Sequence, residues 1–182
     1  MTDLLKQCAF GSPTLFSKVI TEDERVSLKS IAMILLNSGV LQPNPVGPNR
    51  FFKSFYTTDA MPNEIRWLYH RVVQTLNAES PVIDPMLGVV VSVIKPTGYI
   101  HPHKDRYEDS KPDYFGNKNV RFNVMVERGK DVSYEPHIIN QPFKVSKRDA
   151  WCFNASDLSH YTPPLKGRNL RIVYQFGFMV EA

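Results

Sequence analysis

Apolar residues in the first half of the chain follow a helical period. Thr21 and Glu24 form a capping-box pattern, which is followed by apolar residues at steps of three and four: Leu28, Ile31, Ala32 and Leu35. A second helix is expected from Pro62 to about Asn77, with its apolar residues on one stripe: Ile65, Leu68, Tyr69, Val72, Val73 and Leu76. Residues 42–49 have turn composition, and a short aromatic strand should occupy residues 51–57. We therefore predict two amphipathic helices before residue 80, with one strand between them.

From residue 86 onward the period changes from helical to extended. Residues 86–95 are apolar and β-branched, and residues 120–127 and 170–180 alternate between two faces. Further short strands are expected at 132–139, 143–147 and 150–154. Many short strands separated by turns predict a mainly β fold with flanking α-helices, in which an antiparallel sandwich or barrel has helices packed outside. The length of 182 residues favours a single domain, with a helical part at 1–80 and a β core at 86–180.

Composition narrows the class of protein. The two cysteines, Cys8 and Cys152, form no CxxC motif, so neither a disulfide framework nor a cysteine-rich zinc site is indicated, and a reducing cytoplasm is expected. No apolar stretch approaches the roughly 18 residues of a membrane span, and no leader pattern is present at the start. We expect a soluble, unprocessed protein without a membrane partner. The net charge of +4 comes from scattered residues with no basic, aromatic-laced patch, which disfavours a nucleic-acid partner.

The densest cluster of potential metal ligands lies in residues 98–105. If this stretch is extended, the period of two puts His101, His103 and Asp105 on one face. A distant third ligand is available in His160, which follows a predicted strand and turn. Arg171 then lies on a strand face of otherwise uncharged residues, where a charge is costly unless it meets an anion.

The order of these residues is that of a two-histidine, one-carboxylate facial triad followed by a carboxylate-binding arginine. Three protein ligands on one face of an octahedral iron leave positions open for a bidentate co-substrate and for dioxygen. A guanidinium can bind a distal carboxylate through paired, charge-assisted hydrogen bonds, a geometry that lysine does not match. The pattern therefore indicates a site for oxidation.

Four passages of the chain resemble the Fe(II)- and 2-oxoglutarate-dependent oxygenases, and they look closest to the aspartyl/asparaginyl and prolyl hydroxylase-like members. They are residues 100–105, 120–126, 150–154 with 159–160, and 167–173, whereas residues 1–80 take no part. The resemblance implies a double-stranded β-helix, a cupin-like jelly roll, with N-terminal helices buttressing one sheet.

The resemblance also implies roles for individual residues. His103, Asp105 and His160 would be the Fe(II) ligands, Arg171 would bind the C5 carboxylate of 2-oxoglutarate, and Arg121 is a candidate second contact to that co-substrate. The implied function is a dioxygenase that uses dioxygen to hydroxylate an amino-acid side chain of a peptide or protein, or a small molecule. The polar loop 106–119 would be a candidate for closing over the substrate.

Two alternatives stay open at this point. His101 could replace Asp105, so that His101, His103 and His160 form a three-histidine site in a cupin-like metal-binding protein without oxygenase activity. Arg168, in the turn after Gly167, could take the place of Arg171 as the co-substrate anchor.

Overall fold

Both predicted helices are present, and a third helix precedes them. The computed structural model describes residues 3–45, 47–107, 114 and 116–181, and the helices are α1 (Leu4–Phe10), α2 (Glu22–Asn37) and α3 (Asn63–Leu76). α2 begins with the predicted capping box, in which Thr21 and Glu24 exchange side-chain and backbone hydrogen bonds. It ends before Gly39, whose φ of 74° is favourable for glycine.

Twelve strands make up the rest of the described secondary structure, together with short 3-10 turns. They are β1 (Thr14–Phe16), β2 (Gln42–Pro43), β3 (Arg50–Phe55), β4 (Val82–Ile83), β5 (Val89–Ile94), β6 (Ile100–His103), β7 (Lys118–Glu127), β8 (His137–Ile138), β9 (Gln141–Pro142), β10 (Ala150–Asn154), β11 (His160–Thr162) and β12 (Arg171–Val180). The predicted strand at 132–139 is reduced to β8, because residues 132–134 form a 3-10 turn, and the predicted strand at 143–147 does not form. Residues 143–146 are irregular, and they lead into a turn at 147–148 where Asp149 accepts a hydrogen bond from the backbone of Ser146.

The strands form two antiparallel sheets. The major sheet has the order β1-β10-β7-β12-β5-β3-β2, with β4 also paired to β12, and the minor sheet has the order β6-β11-β8-β9. The N-terminal part therefore contributes strands as well as helices to the fold, since β3 pairs with β5 and β1 pairs with β10.

The outer face of the major sheet carries the main hydrophobic core. The core residues contributed by the long strands occupy alternating positions and pack against all three helices. This packing explains why apolar and polar positions alternate along these strands in the sequence. The fully buried members from β7 and β12 include Val120, Phe122, Val124, Ile172, Tyr174, Phe176 and Phe178. The Tyr174 hydroxyl donates to the carbonyl of Leu28, which joins α2 to the sheet at 2.7 Å.

The inner face of the major sheet meets the minor sheet. Met125, Trp151, Phe153 and Val173 pack there against Ile138 of β8 in a second, smaller apolar cluster. Beside this cluster the two sheets separate and leave a cleft that contains the predicted site residues. Residues 108–113 and 115 of the predicted closing loop lie outside the described part of the chain. Within the described part, no helix has the length and apolarity needed to cross a membrane.

Phe176→Ala tests the packing of helices on the major sheet. Phe176 is 0% exposed and its ring lies 6.4 Å from that of Tyr69, so truncation should leave a cavity and lower the free energy of unfolding by about 3–5 kcal/mol. Val132→Ala is the control, because Val132 is 58% exposed and its truncation should change stability by less than about 0.5 kcal/mol. Urea denaturation of the two variants measures both values, and equal losses would contradict this account of the core.

Candidate metal centre

Three potential metal ligands converge where the minor sheet faces the cleft. The pairing of β6 with β11 sets His103 directly opposite His160, with ring centroids 4.2 Å apart. Asp105 follows β6 by two residues, and its backbone N–H donates to the carbonyl of Ala155 at 2.8 Å. As a result, one ligand atom from each of His103, Asp105 and His160 lies within 4.8 Å of the other two.

Backbone carbonyls determine which imidazole nitrogen faces the centre. His103 Nδ1 lies 2.7 Å from the carbonyl of His101, and His160 Nδ1 lies 3.0 Å from the carbonyl of Leu158. A carbonyl only accepts hydrogen bonds, so in the neutral imidazole each Nδ1 carries the proton and each Nε2 keeps a lone pair. These Nε2 atoms lie 3.5 Å and 3.9 Å from the carboxylate oxygens of Asp105. Two imidazole nitrogens and one carboxylate are a ligand set that fits a divalent first-row metal such as Fe(II).

His101 does not join this group. Its side chain is exposed and its ring packs edge-on against Tyr99, with centroids 4.7 Å apart. Thr162 pairs with Ile100 while His160 pairs with His103, so the register shifts by one residue between the two pairs. This bulge breaks the alternation that the sequence argument assumed.

The charge state of the site follows from its surroundings. Burial opposes ionisation of Asp105, but the positive charge of Arg121 and its hydrogen bond to the carboxylate outweigh burial and hold the pKa of this carboxyl below its usual value. Burial lowers the pKa of His160 to about 4, although the charge of Asp105 acts in the opposite direction. Near neutral pH the site therefore presents an ionised carboxylate and a neutral His160 imidazole, the forms that bind metal.

Arg121 is placed differently from its predicted role as a co-substrate contact. Its Nε donates to Asp105 Oδ2 at 2.9 Å, its Nη2 lies 2.7 Å from Asp84 Oδ2, and its Nη1 donates to the carbonyl of Gly88 at 3.4 Å. All three nitrogens are therefore engaged by the protein. Gly177 pairs with Arg121 across the sheet and leaves room for the guanidinium, since a Cβ there would clash with it.

Asp84 completes this arrangement and was not anticipated from the sequence. It is 0% exposed and accepts hydrogen bonds from the backbone of Met86 and Leu87 and from the Tyr107 hydroxyl at 3.1 Å. The only sequence signal is an aspartate before Pro85, which is typical of an ordinary turn. We call the set Asp84, Arg121 and Asp105 the buried ion chain.

Arg171 lies in the same cleft, which encloses about 710 Å³ including its open mouth. Its Nε donates to the carbonyl of Tyr134 at 2.9 Å, and its guanidinium lies 5.9 Å from the ring of Trp151. Burial, together with the charges of Arg50 and Arg128, lowers the pKa of Arg171 to about 9. A bound anion would offset this cost.

The buried acids that could have neutralised Arg171 are occupied elsewhere. Glu127 pairs with Arg25, Lys29 and Lys147, and Asp149 accepts backbone hydrogen bonds. Arg168, the alternative anchor, is exposed and does not line the cleft.

Comparisons with known proteins identify the fold. No family model matches the chain, and no curated protein matches it. Similar solved structures include a prolyl-4-hydroxylase from Pseudomonas putida, with TM-score 0.68 and 11% identity over 98% of this chain and 97% of that one. Another is a Trichoplax adhaerens prolyl hydroxylase in complex with a peptide of the hypoxia inducible factor oxygen degradation domain, with TM-score 0.72 and 10% identity over 98% and 88%. A third is the epimerase SnoN from nogalamycin biosynthesis, with TM-score 0.69 and 12% identity over 98% and 82%.

These similarities cover nearly the whole chain and confirm the predicted fold class. The protein has the double-stranded β-helix of the Fe(II)- and 2-oxoglutarate-dependent oxygenases, with its helices packed on one sheet. At identities of 10–12% they establish the fold rather than a particular activity.

Asp84→Asn tests whether the buried ion chain supports the metal centre. The change leaves the buried Arg121 with one carboxylate, so stability should fall by about 3–5 kcal/mol and metal affinity by about ten- to a hundredfold. Denaturation and calorimetric titration with Mn(II) measure these values. Asp157→Asn is the control, because Asp157 is 51% exposed and its pair with Lys118 should contribute less than about 1 kcal/mol. Unchanged metal affinity in folded Asp84→Asn protein would rule out the supporting role.

Proposed function

We propose that this protein is an Fe(II)- and 2-oxoglutarate-dependent dioxygenase. The observation that carries the proposal is the convergence of His103 Nε2, His160 Nε2 and the Asp105 carboxylate in a cleft that also contains Arg171, a buried guanidinium without a carboxylate partner among the described residues. A metal centre and a separate carboxylate-binding group in one cleft suit a co-substrate that carries a keto acid at one end and a carboxylate at the other.

In this proposal different residues of the site bind the metal and the co-substrate. His103, Asp105 and His160 hold Fe(II), and Arg171 binds the C5 carboxylate of 2-oxoglutarate. Iron and 2-oxoglutarate, when bound, supply oxidation by dioxygen coupled to formation of succinate and CO₂. The protein positions the reactants and excludes water.

Arg121 acts through Asp105 in this scheme. Its Nε donates a hydrogen bond to Asp105 Oδ2 at 2.9 Å, while Asp105 Oδ1 lies 3.5 Å from His103 Nε2 and is available to a metal. The guanidinium keeps the carboxylate ionised and fixes its orientation, so the ligand needs no reorganisation when iron binds.

The substrate is an amino-acid side chain of a peptide or protein, or a small molecule, and the reaction we propose is hydroxylation. Structures of similar fold support both substrate classes, since one was solved with a peptide and SnoN was solved with Fe3+, alpha ketoglutarate and nogalamycin RO. SnoN is an epimerase, so mass analysis of the product, which gains one oxygen only on hydroxylation, separates the two outcomes.

The triad assignment predicts that variants of the three ligands and of His101 differ in metal binding. Asp105→Ala and His160→Ala should lose stoichiometric Fe(II) binding and the charge-transfer absorbance that 2-oxoglutarate induces under anaerobic conditions. His101→Ala is the matched control and should keep both, because the His101 ring lies outside the ligand group. The opposite result, with metal loss on His101→Ala and retention on Asp105→Ala, would favour the cupin-like protein with a three-histidine site.

The assignment of Arg171 is tested by titration with 2-oxoglutarate. Arg171→Gln should raise the dissociation constant of the Mn(II)-loaded protein for 2-oxoglutarate by about ten- to a hundredfold, because one charge-assisted pair is lost. Arg168→Gln should leave it within about twofold, since Arg168 is exposed and outside the cleft. An effect of Arg168→Gln as large as that of Arg171→Gln would contradict the assignment.

A further inference from the structure

A second guanidinium in the cleft has no role in the scheme above. Arg50, the first residue of β3, lies in the N-terminal part that carries no resemblance to the oxygenase passages. Its Nε donates to Ser92 Oγ at 3.2 Å and its Nη2 to Gln175 Oε1 at 3.4 Å, and its guanidinium lies 5.3 Å from the ring of Phe52. Both hydrogen-bond partners are neutral, and among the described residues no carboxylate forms an ion pair with Arg50.

Arg50 and Arg171 lie on either side of the same residue of β5, and their charged groups are held by different partners. Both residues pair with Ile94, one from β3 and the other from β12, so both side chains point to the inner face. Arg171 is then held by the carbonyl of Tyr134, whereas Arg50 extends to Ser92 and Gln175. The two guanidiniums are therefore fixed independently of each other.

The Arg50 guanidinium is held in position before any ligand arrives. Gln175 donates through Nε2 to Asn123 Oδ1 at 3.1 Å, which directs its Oε1 toward Arg50. A guanidinium fixed by neutral oxygens keeps its full charge and loses little conformational freedom on binding an anion. This is the behaviour of a binding group rather than of a structural ion pair.

The charges of the cleft call for one more anion than the co-substrate provides. Among the described residues that line the cleft, Arg50, Arg121 and Arg171 are the cations and Asp105 is the carboxylate, and Arg121 also pairs with Asp84 behind it. The charges of Fe(II) and of the 2-oxoglutarate dianion cancel each other. One positive charge then remains in a half-buried place, where a further anion would be favourable.

Burial has the expected effect on this unpaired charge. It lowers the pKa of Arg50 to about 10, while the negative charge of Asp105 partly opposes the shift. Gln175, which accepts from Arg50, lies four residues beyond Arg171 along β12 and two before Gly177, the residue that pairs with Arg121. The Arg50 guanidinium is therefore held toward the end of the cleft that contains Arg121 and Asp105. That is the side on which a substrate must approach the oxidising centre.

We propose that Arg50 binds a carboxylate of the primary substrate, so that the compound oxidised is a small carboxylic acid such as a free or N-acylated amino acid. The proposal rests on the proposed function, because it assigns the co-substrate carboxylate to Arg171 and the remaining cation to the substrate. Phe52, beside the guanidinium, would contact the apolar part of the same molecule.

The experiment uses the full-length protein loaded with Mn(II) and saturated with 2-oxoglutarate without turnover. The probes are the protein amino acids and their N-acetyl derivatives, each as the free acid and as the carboxamide, and paramagnetic broadening of their NMR signals detects those bound near the metal. We expect at least one free acid to bind while its carboxamide does not. Arg50→Gln should weaken the binding of that acid by at least tenfold, and Arg50→Lys should weaken its binding less.

Two controls distinguish a loss of substrate binding from a loss of 2-oxoglutarate binding. Lys53→Gln changes an exposed cation of the same strand and should leave probe binding unchanged. Titration of wild type and Arg50→Gln with 2-oxoglutarate reads the co-substrate site, and the two dissociation constants should agree within about threefold. Thermal unfolding confirms that Arg50→Gln is folded.

Three results would overturn the proposal while leaving the proposed function intact. They are an Arg50→Gln protein whose 2-oxoglutarate binding falls as far as that of Arg171→Gln, carboxamides that bind as well as the acids, and a wild type that binds none of the free acids. A wild type that fails to bind 2-oxoglutarate in a metal-dependent manner would overturn both.

Discussion

The buried ion chain of Asp84, Arg121 and Asp105 is the interaction on which the site depends. Removing an ion from water costs several kcal/mol, and this is offset only where each charge meets a close partner and its other polar atoms are satisfied. Arg121 contacts a carboxylate on each side, at 2.7 Å and 2.9 Å, although its Nη2 meets Asp84 as an ion contact without hydrogen-bond geometry. Because Asp105 follows the minor sheet and Arg121 belongs to the major sheet, the buried ion chain links the candidate metal ligand Asp105 to the packing of both sheets.

The cleft combines cations of two kinds. Arg121 is paired with two carboxylates of the protein, whereas the hydrogen bonds of Arg50 and Arg171 to other described residues go to neutral oxygens. A buried charge without a carboxylate partner is costly, and binding of an anion would offset this cost. The cleft thus contains one guanidinium that the protein neutralises and two that are free to meet an anion in the proposed scheme.

Elements with a long, regular period could be predicted, and short elements could not. α2, α3, β5, β7 and β12 bury one face over several residues, so their apolar spacing is visible in the sequence. α1 has seven residues and too few repeats to show a period. The expected strand at 143–147 is instead irregular and leads into a turn, where the Asp149 side chain accepts a hydrogen bond from the backbone of Ser146 in place of a strand partner.

The order of His103, Asp105, His160 and Arg171 along the chain was enough to indicate a metal and a carboxylate, because these residue types suit those two ligands. The fold was needed to show which of the candidate ligands lie together. The bulge between β6 and β11 turned His101 away, and the carbonyls of His101 and Leu158 directed the imidazole lone pairs inward. Asp84 and Arg50 entered the picture only with the fold, because a buried charge is recognised by its partners, and those partners are distant in the chain.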